Sequence, residues 1–319
     1  MLNCTIIGID LAKTKFHIAG LDEKNKISFK QAIMRQDFID NLPTLFAPNQ
    51  KFAFEACSGA HSIAKILKDH GHTVICLKPK DVKPYAKSRQ KNDINDAIAI
   101  CKAALDPNLK HVQPKSEEEQ IVSFFHKTRA NVISQRIQRS NSVMSSLQEF
   151  GYVVKCGKTK FAKECKDHVA EAYEKKAVGY EVYVELMQEC EEISQLIVRE
   201  KTLDKKIHEK NNNSQKAKIL LTIPGIGFIN ASILSNKPME SYEKAKDFAA
   251  SLGLVPRQNS TGGKITLGGI SKQGDRYART MLIQAGRSVV MRSCKASPPQ
   301  DNLYNFVKRL KEKGKTFIS

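Results

Sequence analysis

Cys4-Thr5-Ile6-Ile7-Gly8-Ile9-Asp10 reads as a buried strand that ends in an acid. A run this apolar suits a strand covered on both faces, and a carboxylate at its end is badly placed for a core and well placed for a site. Outward from it, Phe16-His17-Ile18-Ala19-Gly20-Leu21 alternates like a second strand. Asp22-Glu23-Lys24-Asn25 is a turn, and Lys26-Ile27-Ser28-Phe29 starts a third strand. Residues 36–46 have helical spacing (Phe38, Ile39, Leu42, Leu45). Phe52-Ala53-Phe54-Glu55 is a further short strand that also ends in an acid. Ile63, Ile66 and Leu67 mark a helix, and Thr73-Val74-Ile75-Cys76-Leu77 a strand before Pro79. The order β-β-β-α-β-α-β-α predicts a mixed sheet covered by helices.

Two more acids follow in Lys91-Asn92-Asp93-Ile94-Asn95-Asp96-Ala97, at the head of the apolar run Ala97-Ile98-Ala99-Ile100. On a helix, positions i and i+3 share a face, so both carboxylates point the same way. Helix capping would explain either acid alone. Neighbouring strands can bring Asp10 and Glu55 together with this pair, however, and oxygen-only ligands on rigid elements suit Mg²⁺. Two such ions about 3.5–4 Å apart stabilise both oxygens of an in-line phosphoryl displacement. Gly8-Ile9-Asp10-Leu11-Ala12-Lys13-Thr14 also resembles the first phosphate loop of actin-like sugar kinases, but the second Gly-rich turn and adenosine segment of those enzymes have no copy here.

The 319 residues are long enough for two or three domains, and 52 Lys+Arg against 33 Asp+Glu leave a net charge of +19. Such an excess points to a polyanionic partner, most simply nucleic acid. It is concentrated in residues 213–319, which hold 18 basic and 6 acidic groups. Eight scattered cysteines without a CxxC pair argue against disulfides and zinc. No apolar stretch or leader suggests a membrane, so a soluble, cytoplasmic protein is expected.

Residues 117–150 and 171–210 carry long periodic runs, which fit two amphipathic helices in an antiparallel hairpin or coiled coil, joined by a basic segment from Lys155 to Lys166. Asn211-Asn212-Asn213-Ser214 reads as a linker. Beyond it, Pro224-Gly225-Ile226-Gly227 fits either a helix-hairpin-helix turn, whose amides at Gly225 and Gly227 would meet phosphate, or a plain tight turn. Residues 244–252 form a short helix ending at Gly253. Leu254-Val255-Pro256-Arg257-Gln258-Asn259-Ser260-Thr261-Gly262-Gly263-Lys264 reads as a loop with two hydroxyls, followed by Lys272 and a helix bearing Arg276 and Arg279 on one face. A hydroxyl ringed by Arg257, Lys264, Lys272, Arg276 and Arg279 has the parts for attack on phosphate, or only for gripping it.

Taken together, Asp10, Glu55, Asp93 and Asp96, the PGIG turn and the block from Gly253 to Arg279 resemble the DEDD transposases of a bacterial insertion-sequence family, the bridge-RNA-guided (seekRNA-guided) recombinases. The resemblance covers nearly the whole chain. It implies an α/β RNase H-like (RuvC-like) domain over 1–112, an α-helical coiled coil over 113–212 and a mainly α-helical transposase domain over 213–319. It further implies Mg²⁺ held by Asp10, Glu55, Asp93 and Asp96, with Ser260 as the nucleophile that forms a phosphoserine link to DNA. Thr261 is the alternative hydroxyl, and the family's Ser-Ser/Thr-Gly pattern favours the first position. Donor and target DNA, a structured non-coding guide RNA, a homo-oligomer (dimer or tetramer) with a composite site, and a nucleoid-associated location are the other implications. A RuvC-like nuclease or junction resolvase without a covalent step is the alternative activity. Relatives continue beyond Lys313-Gly314-Lys315-Thr316-Phe317-Ile318-Ser319, so an inactive, shortened nucleic-acid-binding protein is a third reading.

Overall fold

The computed structural model describes residues 4–86, 93–154, 158–293 and 302–314, and the chain divides into two compact units, 1–118 and 119–319. Lys91, Asn92, Cys156, Gly157, Cys294 and the terminal 315–319 stretch lie outside the described residues. The other six cysteines are free thiols.

The first unit is a five-stranded mixed sheet. Strands β1 (Ile6–Asp10), β2 (Lys15–Leu21) and β3 (Ile27–Met34) form an antiparallel meander. The turn between β2 and β3 is tied by Asp22, whose Oδ1 accepts from the amides of Lys24 and Lys26 at 2.9 Å, with Asn25 in the left-handed region. Two short helices, α1 (Arg35–Asp40) and α2 (Leu42–Leu45), lead to β4 (Lys51–Glu55), which pairs parallel with β1. Helix α3 (Ala60–Asp69) crosses to β5 (Thr73–Leu77), also parallel, giving the order β3-β2-β1-β4-β5. The short α4 (Pro79–Val82) and a 3₁₀ turn follow, before α5 (Asp93–Ala104). This arrangement is consistent with an RNase H-like domain.

Period-two alternation gives the sheet two different faces. One carries Ile7, Ile9, Phe52 and Phe54, packed with Phe16, Phe38, Phe46, Ile63 and Leu67 from β2 and α1–α3. The opposite face presents Gly8, Ala19 and Ala53, a floor of small residues on which α5 lies with Ala97, Ala99, Ile100 and Cys101 buried. A Cβ built on Gly8 would sit 2.3 Å from the Ala97 carbonyl oxygen and 2.6 Å from Cys101 Sγ. No side chain fits there unless helix and strand move apart.

The second unit is mainly helical. Helix α6 (Glu117–Glu149) runs antiparallel to α8 (Tyr180–Asn212), and the expected hairpin is present. Arg129 pairs with Asp204, Arg136 Nε with Glu200 at 3.2 Å, and Arg139 with Glu189 and Glu192 at 2.7 Å. Glu200 is buried between Arg129 and Arg136, so loss of either arginine would leave a buried carboxylate short of a cation. The basic connection expected between the long helices is instead mostly a helix, α7 (Lys158–Glu174). Its Phe161, Cys165 and Val169 pack on Val143, Leu147, Leu186, Cys190 and Ile193.

The expected Asn linker is likewise ordered. Asn211, in the last turn of α8, is buried and donates Nδ2 to the Phe228 carbonyl at 2.7 Å, and Ser214 caps α9 (Gln215–Leu221) by accepting from Ala217 N. Helices α10 (Phe228–Ser235), α11 (Ala245–Ser251) and α12 (Arg276–Arg292) close a core with Ile207 of α8, and α13 (Asn302–Glu312) follows. The segment read as a serine loop is a two-stranded hairpin, β6 (Pro256–Thr261) and β7 (Lys264–Ile270).

Replacing Gly8 with Ala tests the floor of small residues. Forcing a methyl into backbone and thiol at these distances costs about 2 kcal/mol or more, so thermal unfolding of the first unit should move down by roughly 5–10 °C. An unchanged midpoint would show that α5 tolerates displacement.

Candidate active site

Asp10 and Glu55 are each two residues beyond a floor position, Gly8 and Ala53, so the alternation that seats α5 also turns both carboxylates toward it. The parallel register sets them side by side: Ile9 pairs with Phe54, and the next residues are Asp10 and Glu55. Helix α5 begins at this end of the sheet, and its first turn contributes Asp93 and Asp96. One carboxylate oxygen each from Asp10, Asp93 and Asp96 lies within 4.8 Å of the other two. The amides of the helix N-terminus offset part of this negative charge.

The cost of such crowding shows in the titration behaviour. Burial pushes the Asp10 carboxyl above its ordinary value, and Asp96 and Asp93 push it further, opposed by His17. Burial also raises Glu55, with Asp10 and Asp96 adding to it. Glu55 is therefore electrostatically part of the group although the close triad is Asp10, Asp93 and Asp96. Like charges held this close favour either a shared proton or a cation.

Two neighbours had no role in the sequence reading. His17 is the antiparallel partner of Asp10, on the same face as Ala19. Its buried Nδ1 lies 3.4 Å from Asp93 Oδ2 without hydrogen-bond alignment. The signal for it was the alternation in β2, which turns His17 away from the Phe16 and Ile18 face. Cys57 is the other, an exposed residue whose thiol is raised by partial desolvation and by the carboxylates of Glu55 and Asp10. Carboxylate oxygens with one orphaned imidazole nitrogen fit a divalent cation.

In the second unit Ser260 stands near the tip of the hairpin, paired with Ile265, and Gln258 Nε2 donates to its Oγ at 2.9 Å. Gly262 and Gly263 form the connecting turn, both at positive φ, as a tight two-residue hairpin demands. Arg257 and Lys264 are exposed on the hairpin strands, and Lys272 and Arg276 are exposed beyond its base.

Arg279 differs from the expected ring of cations. It is buried, and its guanidinium donates to the Leu252 carbonyl at 3.0 Å and the Gln273 carbonyl at 3.4 Å, one before the hairpin and one after. Asp275 caps α12, its Oδ1 accepting from Ala278 N, while Oδ2 pairs with Lys237. The PGIG turn joins α9 to α10. Gly225 has φ +85°, and a Cβ there would meet Val289 of α12 at 2.4 Å, which supplies a packing reason for this glycine; Gly227 precedes α10 as its cap.

Comparison with known proteins gives these two groups a common setting. The DEDD transposase model of the IS110 type, described as "Transposase", matches residues 7–151 and so spans all four acids. A second model, "Transposase IS116/IS110/IS902 family", matches residues 217–304, which include the PGIG turn and Ser260. The transposase for insertion sequence element IS1328 of Yersinia enterocolitica is 36% identical over 298 residues, 92% of this chain and 86% of that protein. The chain belongs to the IS110 family of insertion-sequence transposases. A probable family 20 transposase of Pseudomonas aeruginosa is 36% identical over 91% of the chain and 85% of its own length. The transposase for IS1111A of Coxiella burnetii is 31% identical over 91% of the chain and 79% of its own length. This transposase is thus an enzyme acting on DNA, and its family implies dependence on a divalent metal in general. Among the described residues, no helix is long and apolar enough to cross a membrane.

Two outcomes follow for the transposase. Both carboxyl shifts are upward, from ordinary values of 3.8 and 4.5, so their contribution to stability is full below those values and is lost as pH rises through the raised ones. In chelator, Asp10→Asn should therefore raise the unfolding midpoint at about pH 7.5, the gain shrinking toward about pH 4.5. Excess Mg²⁺ or Mn²⁺ should raise the native midpoint and leave that of the variant in place; a native midpoint indifferent to both ions would remove the metal reading. Arg279→Met should destabilise the second unit by about 1–3 kcal/mol and speed amide exchange across residues 253–274, because two carbonyls lose a charged donor. Protection equal to that of the native chain would show that Arg279 does not hold the hairpin base.

Proposed function

We propose that this transposase is an RNA-guided, Mg²⁺-dependent recombinase that cleaves and rejoins DNA through a phosphoserine intermediate at Ser260. In this reading Asp10, Glu55, Asp93 and Asp96 hold the metal. Residues 1–112, 113–212 and 213–319 act as a RuvC-like catalytic module, a coiled coil and a transposase module of a cytoplasmic, nucleoid-associated homo-oligomer. The guide RNA rests on the family resemblance and on the charge of +19, which suits more than one nucleic acid.

The observation that carries the covalent step is the placement of the hydroxyls. Ser260 and Thr261 are adjacent on β6, so their side chains leave opposite faces of the ribbon. Both are exposed, but Ser260 Oγ accepts from Gln258 Nε2, whereas Thr261 lies opposite Lys264. Gln258 orients the serine oxygen, and its amide leaves that oxygen's proton free to depart.

In the step itself, Ser260 Oγ forms a bond to phosphorus, the phosphodiester bond to the leaving sugar oxygen breaks, and the serine proton is transferred as that oxygen takes one up. Reversal with a different sugar hydroxyl rejoins the strand, with no other reactant consumed. A bound divalent cation would neutralise charge developing on the phosphate oxygens. Asp10, Glu55, Asp93 and Asp96 supply the oxygens that would hold it. Arg257, Lys264, Lys272 and Arg276 grip the flanking backbone, and the amides at Gly225 and Gly227 are further phosphate contacts in this reading.

Suicide DNA substrates carrying the element ends should trap a covalent protein–DNA adduct with the native enzyme and with Thr261→Ala, and none with Ser260→Ala. Strand cleavage that survives Ser260→Ala would instead establish hydrolysis at the acid cluster, the nuclease alternative.

A further inference from the structure

The hairpin bearing Ser260 has two chemically distinct faces. In an antiparallel pair, residues directly opposite one another project to the same side. The register Ser260 to Ile265 and Gln258 to Leu267 puts those four on one face, and Asn259, Thr261, Lys264 and Thr266 on the other. The second face is wholly polar. On the first, Ile265 is 70% exposed and Leu267 59% exposed, flanking the serine.

Their reach has a steric consequence. Opposed residues in such a ribbon have Cβ atoms about 4.5–5.5 Å apart, and Ile and Leu extend one bond beyond a serine oxygen. A flat surface would meet the two apolar side chains before it met Ser260 Oγ. The serine can touch a phosphate only where Ile265 and Leu267 have a cleft to enter beside it.

The surrounding charge indicates what offers that cleft. Residues 253–274 include Arg257, Lys264 and Lys272 and no Asp or Glu. Protein interfaces deplete charge around an apolar centre, whereas DNA requires unopposed cations and accepts apolar wedges between base steps.

We propose that Ile265 and Leu267 form a wedge that enters DNA next to the phosphate met by Ser260 and unstacks the adjoining base step. This rests on Ser260 being the residue that meets phosphate. It assigns the protein a substrate preference of its own, for steps that open readily, such as pyrimidine–purine steps.

The test is non-covalent, so it is independent of whether Ser260 forms an adduct. Affinities of the full chain are measured for a mixed-sequence DNA duplex and for the same duplex with a central mismatch, where unstacking is already done. The native protein should prefer the mismatched duplex by roughly tenfold. In the Ile265→Ser, Leu267→Ser double variant the ratio should fall to near one at an unchanged thermal midpoint, and Leu267→Phe, with a larger wedge, should keep it. A native ratio of one, or a double variant that keeps the preference, overturns the proposal. So does a double variant that changes only the oligomeric mass, which would assign the face to a second copy. A preference confined to mismatched RNA duplexes would assign it to RNA and also overturn it.

Discussion

The first unit depends on one close approach, the backbone of α5 against the backbone of β1 at Gly8. With Ala19 and Ala53 alongside, this contact lowers the helix onto the sheet, and the direction of α5 then decides where its first turn falls. That turn holds Asp93 and Asp96, and the strand ends beneath it hold Asp10 and Glu55. A bulkier floor would lift the helix and separate the acids. The packing of small residues and the gathering of negative charge are therefore one structural fact. Repulsion among the carboxylates is sustained by apolar burial elsewhere, in Phe38, Phe46, Phe52 and Phe54 on the far face of the sheet.

The second unit solves the reverse problem, holding an exposed element still. Every residue of β6 and all but the last of β7 are exposed, so the ribbon has no core of its own. Its order comes from its base. Gly253 and Gly274 lie in the left-handed region, where a Cβ would strike the Gln273 and Ser251 carbonyl oxygens at 2.1 and 2.0 Å, so the incoming and outgoing strands meet backbone to backbone. Arg279 then bridges one carbonyl before the hairpin and one after it from inside. The arginine expected among the phosphate ligands instead holds the base of the hairpin.

Much of this is legible in the sequence, and the boundary has a physical cause. The strands of the first unit and their terminal acids follow from period-two patterning, because one residue of phase decides whether a carboxylate faces α5 or Phe38. Where burial and exposure did not alternate, reading failed. Helix α7 was hidden by lysines around Phe161, Cys165 and Val169, although those three are spaced at one helical turn. Gly262-Gly263 is a two-residue hairpin signal, and Ile265 and Leu267 alternate after it, but β6 before it is polar throughout and offers no matching apolar pattern. Arg279 was misplaced because it shares a helical face with Arg276 in sequence, while only the packing of Leu252 and Gln273 around it shows that it turns inward. His17 needed the register with Asp10 to acquire meaning.

The two sites differ in the rigidity their chemistry demands. A divalent cation tolerates little error in the position of its oxygens, and the acids stand on strand ends and a helix locked into a dense core. The covalent step proposed for Ser260 would instead require a residue that meets a duplex, remains attached to one end while another is brought in, and releases it. A ribbon clamped at its base and bare at its tip meets that need: Gly253, Gly274 and Arg279 fix its direction, and the exposed strands leave both of its faces open to nucleic acid. The face with Thr261 and Lys264 is polar and carries a cation. The apolar face beside Ser260 suits a single place where the duplex opens. In the proposed reading, the position of Ser260 on its substrate would depend on the fit of Ile265 and Leu267 in the DNA as much as on the clamp at the hairpin base.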